Sequence, residues 1–203
     1  MKLLDMNLRQ FSTALASDAP TPGGGSMAAL NGALGVSLTH MVCMLSVGKE
    51  KYAQHENLLR TTITEASSLQ VKLLELVQRD TDAYDAVTNA LKLPKDTEDE
   101  KAKRSAAMQS ALKHCALVPF EVMCTAMKAL ELTEQIAGKS NPNAASDLGV
   151  AALNLNASVQ GAWLNVLINL DGIKDSEFVN EYKEKGKVIS SKAETTAEAL
   201  QAI

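Results

Sequence analysis

Residues 26–52 read SMAALNGALGVSLTHMVCMLSVGKEKY and are apolar nearly all round until Gly48. A helix with no polar face belongs inside a bundle, because a merely docked surface helix keeps one charged side. Its first half, together with the preceding Gly25, carries little bulk: Ala28, Ala29, Gly32, Ala33 and Gly35. Such residues let another helix or a ligand approach the backbone closely, at a cost of about 1 kcal/mol of helix propensity per glycine. The stretch predicts a central helix whose partners offset that loss.

The flanking segments are also helical. Leu4, Leu8, Phe11 and Leu15 recur at helical spacing and predict a first helix ending near Ser17, where SDAPTPGGG forbids continuation. From about His55 to Leu93, Leu58, Ile63, Leu69, Leu73, Leu76 and Val77 repeat at three and four. Thr97 and Glu100 form a capping-box pattern that restarts a helix through Met108, Leu112 and Val118. Pro119 is expected to bend or break that helix before it resumes towards Ile136. AGKSNPNAASD is the next breaker; Asn143 or Ser146 is expected to cap a nearly charge-free helix ending near Leu170. A charged, amphipathic last helix from about Ser176 to Ala202 should lie outside. The expectation is one all-α domain over 1–203, an up-and-down bundle of five to six long helices. Two nearly uncharged helices in so small a domain also predict a homodimer that buries one face.

Composition narrows the function. Of 203 residues 46% are hydrophobic but only 3% aromatic, which favours Ala-, Leu-, Val- and Met-rich helices over sheets. A net charge of −4 and no long basic run argue against nucleic acid as a partner. Cys43, Cys115 and Cys124 are odd in number, lack CxxC spacing and fit a reducing cytoplasm. Asp5 and Arg9 interrupt what a signal peptide would need apolar, and no uninterrupted membrane span is evident, so no membrane partner is expected. His40, His55 and His114 are too scattered for a metal site, and none is expected.

Three segments carry candidate chemistry. In PTPGGGSMAALNGALG, three glycines lead into a helix, exposing backbone N–H groups at the positive end of its dipole, which suits a carboxylate or phosphate. A tight inter-helix turn explains the same residues, and without a GK[ST] ending the segment is no P-loop. In LVQRDTDAYDAV, Asp82 and Asp85 share one helical face while Asp80 points elsewhere; the segment reads either as a solvated face or as the source of a carboxylate with a raised pKa for acid–base work. In the Asn143–Leu170 segment, Asn154, Ser158, Gly161, Asn165 and Asn169 fall along one side, with either helices or a ligand as partners. Asp147 fits a first-turn acid favoured by the helix dipole.

These segments occur together with VGKEKY, LKLPKDTEDEK, VPF, SDLGVAA and GAWLNVLINL, in the order and spacing of one family. Over about residues 5 to 180 the chain resembles the formimidoyltetrahydrofolate cyclodeaminase/methenyltetrahydrofolate cyclohydrolase family. The resemblance implies an all-helical dimeric enzyme that closes 5-formimidoyltetrahydrofolate to 5,10-methenyltetrahydrofolate and releases ammonia. Some single-domain relatives instead interconvert the methenyl and 10-formyl forms. A non-catalytic folate-binding bundle is the alternative of another class. The resemblance implies Asp80 as the catalytic carboxylate. It implies Pro22, Gly23, Gly24, Gly25, Ser26, Lys49, Asp82, Ser146 and Asp147 as substrate-binding residues, Lys51 being a further candidate for folate carboxylates. No cofactor beyond the tetrahydrofolate substrate is implied.

Overall fold

The computed structural model describes residues 2–201, all-helical with no strand among them. Six α-helices follow in order: α1 (Leu8–Leu15), α2 (Gly24–Met44), α3 (Glu56–Leu91), α4 (Glu98–Ile136), α5 (Ala145–Leu170) and α6 (Ser176–Gln201). The expected end of the last helix at Ala202 lies outside the described residues. Helices α2 to α5 form an antiparallel ring in which α2 packs on α3 and α5, and α4 closes it against α3 and α5. Helix α6 docks on α4 and α5, and its Gly186 is needed there: a Cβ at that position would lie 2.1 Å from the Trp163 ring.

Small residues allow α2 to sit this deep. Gly25, Ala28, Ala29, Gly32, Ala33 and Gly35 are all buried. A Cβ on Gly32 would meet Ser158 Oγ at 2.7 Å, and one on Gly35 would meet Leu155 at 2.8 Å and the Ala151 carbonyl at 3.1 Å. By length and hydropathy α2 is apolar enough to cross a membrane, which the sequence reading did not register; half of its most apolar stretch is buried against its neighbours.

Three local expectations are corrected. The first helix does not run from Leu4 to Ser17: a 3₁₀ turn, Leu3–Asp5, precedes α1, and Asn7 forms a capping box with Gln10 that starts the helix afresh. Of the bend or break expected at Pro119, the break does not occur: α4 continues through it. Proline removes the N–H that would bond the carbonyl four residues back, that of Cys115, and the Asn169 side chain of α5 donates to this carbonyl at 3.0 Å. Neither Asn143 nor Ser146 caps α5. Asn141 accepts the Asn143 N–H in a 3₁₀ turn, Pro142–Ala144, and α5 begins from Ala144 without a side-chain cap. The capping box of Thr97 and Glu100 forms as read.

At the far end of α2 a second apolar cluster of Val42, Cys43, Tyr52, Leu59, Ile136, Ala144 and Leu148 anchors the VGKEKY segment. Gly48 turns the chain there with φ +75°, a left-handed conformation that side chains disfavour, and its N–H donates to Glu56 at 2.8 Å.

Candidate active site

Asp80 projects from α3 against the first turn of α2. Its Oδ2 accepts the Ser26 hydroxyl at 2.8 Å, and the Ser26 backbone amide adds to the polar surround that favours the ionised carboxylate. The fit is close enough that a Cβ on Gly25 would lie 2.0 Å from Asp80 Oδ1. Burial raises the Asp80 pKa above its usual value, and the Ser26 hydroxyl and amide pull in the opposite direction without cancelling the rise. A carboxyl held this way is poised to exchange a proton.

The cleft around it measures about 200 Å³ and is lined by Pro20, Thr21, Gly23, Gly24 and Gly25 from the turn before α2, Asp80, Ala83 and Tyr84 of α3, Cys115 of α4, and Asn165, Ile168 and Asn169 of α5. Asn165 donates to the Gly161 carbonyl at 2.8 Å, and Asn169 donates to those of Cys115 and Asn165. Both side-chain oxygens accept no hydrogen bond from the described residues. The Cys115 thiol is pushed up to about 11 by burial and by the Asp80 charge, and it donates to the Ala83 carbonyl at 3.1 Å, so it is a protonated wall and no nucleophile.

The residues singled out from sequence do not all meet here. Gly23, Gly24, Gly25, Ser26 and Asp80 converge, with buried Pro22 just behind them. Asp82 does not join them. It is exposed and accepts from Gln78 one turn back, because two residues along a helix turn a side chain to the opposite side. Lys49, Ser146 and Asp147 lie at the other end of the bundle, beyond the C-terminus of α2 and in the first turn of α5. The length of α2, 21 residues, puts roughly 30 Å between the two groups. Ser26 is engaged with the protein's own Asp80 through its hydroxyl. Of the polar side chains on α5, Asn165 and Asn169 reach the cleft, Ser158 packs on Gly32, and Asn154 bonds its own helix at Val150. Tyr84 was missed, although it stands four residues after Asp80 and therefore on the same face. Among the described residues no group of three His, Cys, Asp or Glu is placed to hold a metal ion.

A helical bundle that presents a desolvated carboxyl, aligned by a hydroxyl and flanked by amide side chains, suits acid–base chemistry. The sequence profile described as formiminotransferase-cyclodeaminase matches residues 7–187, and the chain belongs to that family. It is 41% identical to a methenyltetrahydrofolate cyclohydrolase of Methylorubrum extorquens over 174 residues, 86% of this chain and 84% of that one. It is 34% identical to the formimidoyltransferase-cyclodeaminase of Sus scrofa over 96% of this chain but only 36% of the porcine protein. The crystal structure of a formiminotetrahydrofolate cyclodeaminase from Thermotoga maritima superposes with a TM-score of 0.88 at 28% identity, covering 99% of this chain and 96% of that one.

Proposed function

We propose that the chain is a formimidoyltetrahydrofolate cyclodeaminase, converting 5-formimidoyltetrahydrofolate to 5,10-methenyltetrahydrofolate and ammonia. The observation that carries this reading is the buried Asp80 carboxyl bonded to Ser26, in a chain of this family. N10 of the folate attacks the carbon of the N-protonated formimidoyl group, the N10 proton passes through Asp80 to the departing nitrogen, and the bond from carbon to that nitrogen breaks to release ammonia and leave the methenyl cation. Ionised Asp80 also favours the cationic reactant and product electrostatically. The unengaged oxygens of Asn165 and Asn169 accept N–H groups of the pterin, while Gly23 to Gly25 let it approach the backbone of α2.

The second reading, methenyltetrahydrofolate cyclohydrolase, is favoured by the 41% identity to the Methylorubrum extorquens protein of that name. There Asp80 takes a proton from the water that attacks the methenyl carbon; the hydroxyl proton of the resulting carbinolamine then passes to N5 as the C–N5 bond breaks, leaving 10-formyltetrahydrofolate and one proton released to solvent. Neither reaction calls for a cofactor beyond the tetrahydrofolate. The protein is expected to work in the cytoplasm, where its three free cysteines stay reduced, and as a homodimer.

Purified protein given 5-formimidoyltetrahydrofolate should produce methenyl absorbance and stoichiometric ammonia. Accelerated loss of that absorbance from methenyltetrahydrofolate, without activity on the formimidoyl compound, selects the cyclohydrolase. Tight folate binding with no turnover of either compound selects a non-catalytic binder and sinks both.

A further inference from the structure

Asn169 stands in the wall of the cleft with both hydrogens of its side-chain amide in use. Its Nδ2 donates to the Asn165 carbonyl one turn back at 2.8 Å and, across to α4, to the Cys115 carbonyl at 3.0 Å. An amide turned end for end would set its oxygen against two carbonyl oxygens, so the observed orientation is the one that satisfies all three groups. Asn169 Oδ1 is therefore a fixed acceptor. The buried side-chain polar atoms left without a partner lie elsewhere, on Thr62, Thr81, Arg104 and Ser158, so this oxygen is open to solvent while accepting nothing from the described residues. Asn165 is held less firmly, by one bond to the Gly161 carbonyl.

The Cys115 carbonyl is available only because of Pro119. In an uninterrupted helix the N–H of residue 119 would take that carbonyl, and proline has none. A residue unfavourable to the middle of α4 thus gives the amide its second anchor.

Cys115 also relates the amide to the acid–base carboxyl. Its thiol feels the Asp80 charge while its carbonyl holds Asn169, so Asp80 of α3 and Asn169 of α5 stand on either side of it. In the folate reactions the carboxyl works beside N5 and N10, which share the one-carbon unit. The ring atom opposite N5 is N8. In a tetrahydropterin N8 carries a hydrogen and donates; in a fully oxidised pterin it is a bare ring nitrogen that only accepts.

We infer that Asn169 Oδ1 accepts the N8–H of the pterin and so selects reduced over oxidised folates, with Pro119 as the positioning residue that keeps the amide from turning. An oxidised ring sets one lone pair against another, and the locked amide cannot turn to relieve the repulsion. This inference rests on the cleft being a folate site.

Equilibrium binding of three folates with the same p-aminobenzoylglutamate tail tests it without turnover. Tetrahydrofolate and 7,8-dihydrofolate both carry the N8 hydrogen, and folic acid does not. Dihydrofolate decides, because it resembles folic acid at the unsaturated N5 but donates from N8. The wild-type chain should bind both reduced forms about 10- to 100-fold more tightly than folic acid. Dihydrofolate that binds as weakly as folic acid overturns the inference, since the site then reads N5 or the pucker of the ring. In Pro119→Ala the restored N–H takes the Cys115 carbonyl and the amide keeps one anchor, so the preference for dihydrofolate over folic acid should shrink several-fold. In Pro119→Ala/Asn169→Ala that carbonyl stays bonded and the preference should vanish to within about 2-fold. A merely structural role for the two residues would weaken all three ligands alike and keep the wild-type preference, which also overturns the inference. A wild-type chain that binds none of the three and turns over neither folate substrate sinks the proposed function and this inference with it; turnover without a preference at N8 sinks this inference alone.

Discussion

At Asp80 two opposed effects act on one carboxyl. Burial disfavours its charge and the Ser26 hydroxyl and amide favour it, burial being the larger. Asp80→Asn keeps an oxygen to accept from Ser26 but cannot ionise, so kcat should fall by about 10²- to 10⁴-fold with helical content unchanged. Stability should move the other way. A carboxyl whose folded pKa is raised contributes its full stability below the ordinary value of 3.8 and loses it as pH rises through the folded pKa. Thermal melts should therefore find Asp80→Asn more stable than wild type at neutral pH, with the difference vanishing below pH 3.8. Ser26→Ala removes a bond that favours the ionised form, so the acidic limb of the pH–rate profile should shift to higher pH, and an unmoved limb would show that Ser26 does not tune this group. The residue motif DTDAY pointed to this neighbourhood, but helical spacing alone did not say which acid faces inward. That depends on where α2 packs against α3, a fact that no local pattern contains.

The elements show where local rules were overridden. Pro119 reads as a bend or a break from sequence because it removes one helical hydrogen bond and strains the turn before it. The helix survives because Asn169 of α5 occupies the stranded Cys115 carbonyl, a partner 54 residues away. The same bond fixes an amide in the wall of the cleft, so Pro119 and Asn169 should be coupled. Asn169→Ala leaves a carbonyl unpaired and should cost about 1 to 3 kcal/mol. In a Pro119→Ala background the restored N–H takes that carbonyl, and the same substitution should cost measurably less; equal costs in urea melts would refute the coupling. Glycines sort just as sharply. Gly35→Ala meets Leu155 and the Ala151 carbonyl and should destabilise by about 1 to 3 kcal/mol, whereas Gly149→Ala on α5 meets nothing within 4 Å and should stabilise by about 0.4 to 1 kcal/mol. The sequence shows both as helical glycines and cannot distinguish them. Periodicity found α3, α4 and α6 because their apolar positions are separated by charge, while the start of α1 was misplaced because Leu4 happens to continue its spacing.

For the whole molecule, the low charge of α2 and α5 already suggested more apolar surface than one chain hides, and the bundle leaves Leu34 of α2 and Leu153 of α5 half exposed. Leu153 is half exposed, so Leu153→Arg should leave the fold of a single chain within about 0.5 kcal/mol of wild type. In a two-fold dimer the substitution appears twice near the axis, setting two guanidinium groups against each other in an apolar interface, a loss of about 3 to 5 kcal/mol for each unpaired buried charge. Sedimentation should then report a monomer with wild-type helical content and greatly reduced turnover. Val188→Arg, on the exposed side of α6 away from this face, should remain dimeric and active. A Leu153→Arg protein that sediments and turns over like wild type would place the partner elsewhere.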